Sequence, residues 1–141
     1  MLSLFKNKKF EPNFPIIELE ASPEEVKDLL SKFSSVERVE KSQEKGVDFE
    51  YVAENHETRI NVGFSADKIS FVNYLSEQFN DNDKKKAQKL DWFINYYGTV
   101  DEFEEPNDTG FMIFFHNPKR KLTIVFGLHM GPIRINSHAN A

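Results

Sequence analysis

The stretch from residue 47 to residue 71 reads VDFEYVAENHETRINVGFSADKISF, and its pattern decides the fold. Apolar and polar residues alternate on both sides of Asn55-His56, which is typical of paired antiparallel strands with one buried face. A two-residue turn there predicts three apolar cross-strand pairs: Tyr51 with Ile60, Phe49 with Val62, and Val47 with Phe64. A second turn at residues 65–68 predicts that Phe64 meets Ile69 and Val62 meets Phe71. We therefore expect an antiparallel meander from about Val36 to Glu77.

One helix is predicted before this meander and another after it. Ser22 as N-cap, Pro23 as the first helical residue and Glu25 form a capping-box pattern, which marks a helix start. The apolar stripe of this helix consists of Val26, Leu29, Leu30 and Phe33. The second helix is expected after residues 80–83, with Gly98 at its C-terminal end. Its stripe consists of Ala87, Leu90, Ile94 and Tyr97, with Phe93 alongside, and its solvated face is expected to hold Lys84, Lys85, Lys86 and Lys89.

Residues 111–126 predict a second hairpin, because the apolar runs FMIFF and LTIVF flank the turn residues NPKR. A tight turn over Pro118-Lys119 predicts the pairs Phe115 with Leu122, Ile113 with Ile124, and Phe111 with Phe126. Both faces of this hairpin are largely apolar, so we expect it at the centre of a sheet and covered on each side. Phe111, Ile113 and Phe115 would then form the rigid sheet centre.

Shorter strands are predicted at residues 15–20, 100–103 and 132–135. Together the elements follow the order β-α-β-β-β-β-α-β-β-β, with short antiparallel connections rather than alternating strands and helices. We expect a single α+β domain, residues 1–141, with a mainly antiparallel sheet and two helices packed on it. Residues 1–14 are interpreted as a loosely docked arm, and residues 136–141 as a flexible tail.

The composition of the chain argues against several classes of protein. Lys and Arg number 18 against 23 Asp and Glu, and the net charge of −5 argues against nucleic acid or an anionic membrane as main partner. The chain has no Cys, which excludes disulfides and thiolate nucleophiles and is typical of the cytoplasm. No apolar run approaches the about 20 residues that span a bilayer, and the apolar start is too short for a signal peptide.

Catalytic and metal-binding patterns are sparse. The six glycines form neither a dinucleotide-binding fingerprint nor a P-loop, and no His pair has the spacing of a zinc protease. The predicted register places His116 opposite Lys121 and His129 opposite Asp108, with His56 in a turn and His138 in the tail. An Asp108–His129 pair either orients a general base or forms an ion pair that closes a sheet end. We expect no cofactor and no metal, and we assign no catalytic residue.

Five acids lie within eight residues: Asp101, Glu102, Glu104, Glu105 and Asp108. Charged residues of this kind protect an edge strand from further pairing. Joined by three acids around the second helix start, Glu77, Asp81 and Asp83, they also form a docking surface for a basic partner. A metal site is the third interpretation, but the segment lacks the spacing and glycine of a calcium loop. We predict these acids as the partner-binding residues.

In its small size, its negative charge, its lysine-bearing start at residues 1–9 and its acids at residues 101–108, the chain resembles the immunity proteins of bacterial toxin systems, including contact-dependent growth inhibition. The resemblance implies a cytoplasmic, non-enzymatic protein that binds a secreted toxin domain, often a basic nuclease, and blocks its active site. It carries no diagnostic motif, so no family residue is transferred. We expect a protein partner, no nucleic acid, no membrane and a monomer.

Three other classes stay open. Acidic type III secretion chaperones have a similar order of elements, but residues 127–141 do not supply their closing helix. A ligand-binding regulatory domain would enclose a pocket between the second helix and the second hairpin, lined by Phe93, Tyr96, Phe111, Phe114 and Phe126. A hydrolase that uses His129 and Asp108 is the third.

Overall fold

The computed structural model describes residues 10–79, 83–128 and 131–138. The helices are α1 (Pro23–Ser31) and α2 (Asp83–Tyr96), and one-turn 3-10 helices lie at Glu77–Phe79 and Val100–Glu102. The strands are β1 (Val36–Val39), β2 (Phe49–Glu54), β3 (Thr58–Ser65), β4 (Lys68–Ser76), β5 (Asn107–Asp108), β6 (Met112–Asn117), β7 (Leu122–Gly127) and β8 (Ile133–Ser137). None of the helices in these described ranges has the length and apolarity needed to cross a membrane.

The strands form one antiparallel sheet of eight in the order β1-β2-β3-β4-β8-β7-β6-β5. Each half of the chain is thus a helix followed by a four-stranded meander, and the last strands of the two halves, β4 and β8, pair at the centre. Both helices contribute to one core cluster with the side chains of a single sheet face. The predicted α+β domain with two helices packed on an antiparallel sheet is confirmed.

The first hairpin, β2–β3, buries the predicted face in a register moved by two residues. Phe49 lies opposite Phe64 instead of Val62. The turn is displaced because the side-chain oxygen of Asn55 accepts hydrogen bonds from the backbone N–H groups two and three residues later, at 2.9 and 2.7 Å. A shift of two residues keeps every side chain on its own face, so the same apolar residues stay buried.

The pairing of β3 with β4 contains a bulge that the sequence did not predict. The predicted pair of Phe64 with Ile69 forms, but the register shifts next to Gly63 and places Phe71 opposite Gly63 rather than Val62. A Cβ at Gly63 would lie 2.3 Å from Cε1 of the Phe71 ring. The missing side chain therefore gives this ring its space on the sheet face away from the helices.

The second hairpin, β6–β7, is also two residues out of the predicted register. Its loop spans residues 118–121, because Asn117 pairs with Leu122 and the Asn117 Oδ1 accepts a hydrogen bond from the N–H of Arg120 at 3.0 Å. His116 consequently lies opposite Thr123 and not opposite Lys121.

This hairpin is not the centre of the sheet. β6 is the second strand from the edge, and β4 and β8 occupy the centre. Phe111 lies in the turn before β6 and is 77% exposed, while Ile113 and Phe115 are half-buried. The predicted rigid centre formed by Phe111, Ile113 and Phe115 is therefore wrong, because only the inner strands are covered along their length.

The predicted capping box at the start of α1 is confirmed. The N–H of Glu25 donates to Oγ of Ser22 at 3.2 Å, and the N–H of Ser22 donates to Oε1 of Glu25 at 3.1 Å. Val26 and Leu30 are buried in the core, whereas Leu29 is 37% exposed. The stripe predicted from periodicity is thus only partly covered.

The buried face of α2 differs from the predicted stripe at its N-terminal end. Ala87 is exposed, while Lys86 and Lys89 are buried and are not part of a solvated face. The Lys89 ammonium donates a hydrogen bond to the carbonyl oxygen of Gln78. Burial of a lysine is compatible with its charge when the ammonium reaches a polar partner in this way.

Residues 15–20 form no strand, and two tyrosines hold them in place. The N–H of Ile17 donates to the Tyr74 hydroxyl oxygen at 2.9 Å, and the Tyr97 hydroxyl donates to the Ile17 carbonyl oxygen at 2.7 Å. The two hydroxyls lie 2.7 Å apart, so that of Tyr74 donates to that of Tyr97 and closes a ring of hydrogen bonds. Burial raises the pKa of both tyrosines, which keeps the hydroxyl protons that this ring needs.

The ends of the described chain are packed more closely than predicted. Phe14 is buried in the core, so residues 10–14 are not a loose arm. Asn136 and Ser137 belong to β8, where backbone pairing replaces the expected flexible tail. Residues 1–9 and 139–141 lie outside the described residues.

Candidate functional site

Most of the predicted acids lie along one edge of the sheet. The Glu104 N–H donates to the His116 carbonyl oxygen at 2.8 Å, and Asp108 pairs with Ile113, so this segment runs along the outer side of β6. Four of its acids are exposed: Asp101, Glu104, Glu105 and Asp108. We call residues 100–112 the acidic edge.

Glu102 differs from its neighbours because its carboxylate is used within the chain. Its side chain is only 10% exposed and accepts hydrogen bonds from the Thr99 N–H at 2.9 Å and from Nε of Arg120 at 3.0 Å. Nζ of Lys119 lies 3.5 Å from its Oε2. Burial raises the pKa of Glu102, but these donors outweigh it and hold the pKa below its ordinary value. Glu102 therefore ties the 3-10 turn to the β6–β7 loop, which removes it from the exposed set predicted.

Exposed apolar side chains lie on the same segment as the exposed acids. Val100 is 66% exposed, Phe111 77% and Met112 45%, and these are three of the six large apolar side chains exposed among the described residues. The backbone under them is fixed: the Thr109 N–H donates to the Met112 carbonyl, and the Leu128 N–H to the Phe111 carbonyl, each at 2.9 Å. Phe111 is thus presented to solvent from a hydrogen-bonded turn.

The remaining predicted acids are not brought to this edge. Glu77 is exposed but follows β4, four strands away from β5 in the sheet order. At the usual strand spacing this is a separation of about 19 Å. Asp81 and the side chain of Asp83 lie outside what the structure describes.

The histidines form an arrangement that the sequence did not predict. Nδ1 of His116 and Nε2 of His138 each lie 2.8 Å from Oγ1 of Thr123. A hydroxyl donates one hydrogen bond, so at least one imidazole donates its N–H to this oxygen. His138 is therefore bonded to the sheet rather than part of a tail, and His56 is exposed in its turn as predicted.

The structure bears differently on the predicted general base and on a metal centre. His129 lies outside the described residues, so the Asp108–His129 pair is not described, and Oδ1 of Asp108 accepts from the Gly110 N–H at 2.8 Å. Within residues 10–79, 83–128 and 131–138, no three His, Asp or Glu side chains are placed to hold a metal ion.

The sheet face away from the helices carries a groove of about 550 Å³. Glu50 is buried there and accepts hydrogen bonds from Ser42 at 2.6 Å and Asn61 at 3.2 Å. Arg134 stacks on the Phe71 ring at 4.0 Å and donates to Oε1 of Glu44 at 2.7 Å, a bond that lowers the Glu44 pKa. These contacts fasten the β1–β2 loop over the sheet and use the charged groups internally.

A second concave surface lies on the helix side, around Tyr96. Two adjoining depressions of about 540 and 410 Å³ share Glu18 and Tyr96. Tyr96 is 38% exposed and stacks on Trp92, with ring centroids 5.3 Å apart. Burial raises the pKa of Tyr96, and the nearby carboxylates of Glu18 and Glu20 raise it further. The effect of these carboxylates indicates a negative electrostatic potential at the Tyr96 hydroxyl. We call these two depressions the Tyr96 groove.

Sequence reasoning missed the Tyr96 groove because it assigned its parts to the core. Residues 15–20 were predicted to be a strand, and periodicity placed Leu29 in the buried stripe. The only available signal was Tyr96 itself, a second ring beside the stripe residue Tyr97.

The aromatic pocket considered above does not form as a single enclosure. Phe93 and Phe126 are buried in the core on the helix side, while Phe111 is exposed at a turn. Phe114 lies opposite Val125, on the face away from the helices. The five rings therefore do not line one cavity.

Comparison of the chain with protein-family models, with curated proteins and with solved structures finds no match.

Proposed function

We propose that this chain is a non-enzymatic protein-binding module that holds a basic partner protein along its acidic edge. One observation carries the proposal: exposed acids and exposed large apolar side chains occupy the same segment, residues 100–112, which includes the outermost strand β5 and the turns on either side of it. Interfaces that bind tightly combine a central aromatic anchor with a charged, solvated rim.

Phe111 is the proposed anchor. Its ring is 77% exposed, so a partner that covers it gains most of the burial that a phenylalanine offers, about 1.5–3 kcal/mol. The hydrogen bonds of its turn fix the backbone that carries the ring before the partner arrives. Less conformational entropy is then lost on binding.

The exposed acids indicate that the partner is positively charged. Asp101, Glu104, Glu105 and Asp108 lie within eight residues of each other, in a chain whose net charge is −5. A negative surface of this kind accelerates association with a positive one and repels acidic proteins. Lys119 and Arg120 pair with Glu102, and among the described residues no salt bridge engages the other four acids.

Within this function we favour an immunity protein, cytoplasmic and specific for a cognate toxin domain. The resemblance in size, charge and acids supports this choice. Such an inhibitor needs a rigid scaffold and a pre-formed charged surface, and it needs no catalytic residue. The proposed mechanism is occlusion of a basic cleft in the toxin by the acidic edge and Phe111.

The test begins with the open reading frame directly upstream of the gene, which this proposal expects to encode a secreted protein with a toxin domain. Co-expression with this chain should restore growth, and calorimetry should show a one-to-one complex. Glu104→Lys with Glu105→Lys should weaken binding at least tenfold, about the effect of two reversed charge pairs near a protein surface. Phe111→Ala should weaken it by about tenfold or more.

The matched control reverses two exposed acids elsewhere, Glu37→Lys with Asp91→Lys, and thus keeps the net charge equal to that of the edge variant. It should bind within twofold of the parent protein. Equal losses in both double variants would mean that total charge, not the acidic edge, governs binding, and the proposal would then be wrong.

A further inference from the structure

The Tyr96 groove has an apolar floor that the fold leaves uncovered. Leu29 and Tyr96 are 37% and 38% exposed, and half-buried Ile16 lies between the segments that carry them. Two of the six large exposed apolar side chains of the described residues therefore line one depression. Concave apolar surfaces with a few polar groups are the usual form of binding sites.

The rim of this groove is predominantly acidic. Glu18, Glu20 and Asp28 are exposed around it, and the carboxylate of Glu25 is engaged by the N-cap of α1. Its cations are Lys32 on one side and Arg120 on the other. Arg120 already pairs with Glu102 at 3.0 Å, so its charge is offset within the chain. The groove therefore combines apolar contact with net negative charge.

The groove is also rigid. Ile17, at its base, is hydrogen-bonded on both sides of its peptide to the buried hydroxyls of Tyr74 and Tyr97. Leu29 lies on a capped helix, and Tyr96 stacks on Trp92 at an interplanar angle of 13°. A pre-formed groove of this kind costs a ligand little ordering of the protein.

We propose that the Tyr96 groove binds a basic amphipathic segment of the partner protein, with apolar side chains over Leu29 and Tyr96 and lysine or arginine side chains against Glu18, Glu20 and Asp28. This inference rests on the proposed function, in which the partner is basic. Amphipathic helices bind hydrophobic grooves in this way through apolar residues spaced three and four apart.

The position of the groove supports one partner spanning both surfaces. Arg120 lines the groove, and its ion pair is with Glu102 of the acidic edge. The two negative surfaces therefore adjoin at this ion pair. A partner with a compact basic surface and a basic amphipathic segment would contact both.

The test uses the full chain and three synthetic 14-residue peptides. The first carries Leu at helical spacing with Lys elsewhere, the second replaces Lys by Glu, and the third replaces Leu by Ser. Trp92, the one tryptophan of the chain, reports occupancy by its fluorescence, and calorimetry measures affinity. Only the Leu/Lys peptide should bind saturably and change the Trp92 emission, and added salt should weaken it.

Variants locate the bound peptide. Leu29→Asp and, separately, Glu18→Lys with Glu20→Lys should each reduce affinity at least tenfold, since both alter the groove without touching the core. Glu37→Lys with Asp91→Lys, two exposed acids outside both the groove and the acidic edge, is the matched control, and it should leave peptide affinity within twofold. No saturable binding, or equal binding of the Glu peptide, or no loss in the groove variants would each overturn the proposal.

A variant that lacks residues 1–9 tests whether the chain's own N-terminal segment, rather than a partner segment, occupies the groove. If only this variant binds the Leu/Lys peptide, the chain's own lysine-bearing start occupies the groove, and the proposal of a partner segment is wrong. If the Leu/Lys peptide does not bind, but the toxin domain still binds and its binding still depends on the acidic edge, only this inference is wrong. Peptide binding without any toxin neutralisation would instead overturn the proposed function.

Discussion

The centre of the sheet and its acidic edge use the same antiparallel pairing and carry opposite chemistry. At the centre, Val72 lies opposite Ile135 and neither has any exposed surface. At the edge, β5 has two residues, both exposed, and Phe111 beyond it is mostly in solvent. The proposed function therefore assigns partner binding to a part of the chain that contributes little to stability. Changes at the centre should unfold the protein, and changes at the edge should leave it folded.

The largest expected difference in stability is between the alanine variants of two phenylalanines, one fully buried and one mostly exposed. Phe93 is fully buried and contacts the rings of Phe10, Tyr74, Phe79 and Trp92. Phe93→Ala should lower the free energy of unfolding by about 3–5 kcal/mol. Phe111→Ala should change it by less than about 0.5 kcal/mol, as most surface substitutions do. Urea unfolding monitored by circular dichroism measures both, and a loss of several kcal/mol for Phe111→Ala would contradict the division.

The next effect concerns the tyrosine hydrogen-bond ring that anchors residues 15–20. Tyr97→Phe removes the donor to the Ile17 carbonyl and the acceptor for the Tyr74 hydroxyl, both of which are buried. Leaving these groups unpaired should cost about 1–3 kcal/mol. Tyr96→Phe, in the next position but 38% exposed, is the matched control and should cost less than about 0.5 kcal/mol. Equal costs would mean that the ring does not stabilise the fold.

How far the sequence could predict this division is shown by the two hairpins. Alternation alone placed Phe49, Tyr51 and Val62 on the buried face, because side chains of a strand alternate whatever the register. In both hairpins the predicted register differs from the observed register by two residues. Both times an Asn side chain, Asn55 or Asn117, accepts backbone hydrogen bonds that set the loop. Such local bonds are possible at any loop Asn, so alternation does not select them.

Sequence patterns do not predict how a residue is placed relative to elements that are distant along the chain. Gly98 was predicted as the helix end for its backbone freedom, yet its role is close packing: a Cβ there would lie 2.5 Å from Nδ2 of Asn117. Glu102 was grouped with exposed acids, although Arg120 and Lys119 enclose it. Both facts depend on the β6–β7 loop folding back onto the end of α2. No periodicity carries that information.

The smallest expected effect separates two acids of the edge. Glu102→Gln should destabilise the protein more than Glu105→Gln, which should change stability by less than about 0.5 kcal/mol. The folded-state pKa of Glu102 lies below its ordinary value of 4.5. Its contribution is therefore fully present above that pH and is lost as the pH falls through the folded-state pKa. Thermal unfolding from pH 7 to pH 3 should show the difference between Glu102→Gln and the parent shrinking with acidity; a constant difference would contradict an ionic role.

The rate of association between this chain and the toxin domain proposed as its partner is the most direct test of the proposed role of the acidic edge. Stopped-flow measurements at low and high salt should compare the parent protein, the edge variant Glu104→Lys with Glu105→Lys, and the control Glu37→Lys with Asp91→Lys. The edge variant should associate at least tenfold more slowly at low salt and with a weaker salt dependence, while the control should stay within twofold of the parent protein. An association rate that is the same for the parent and the edge variant would contradict that role.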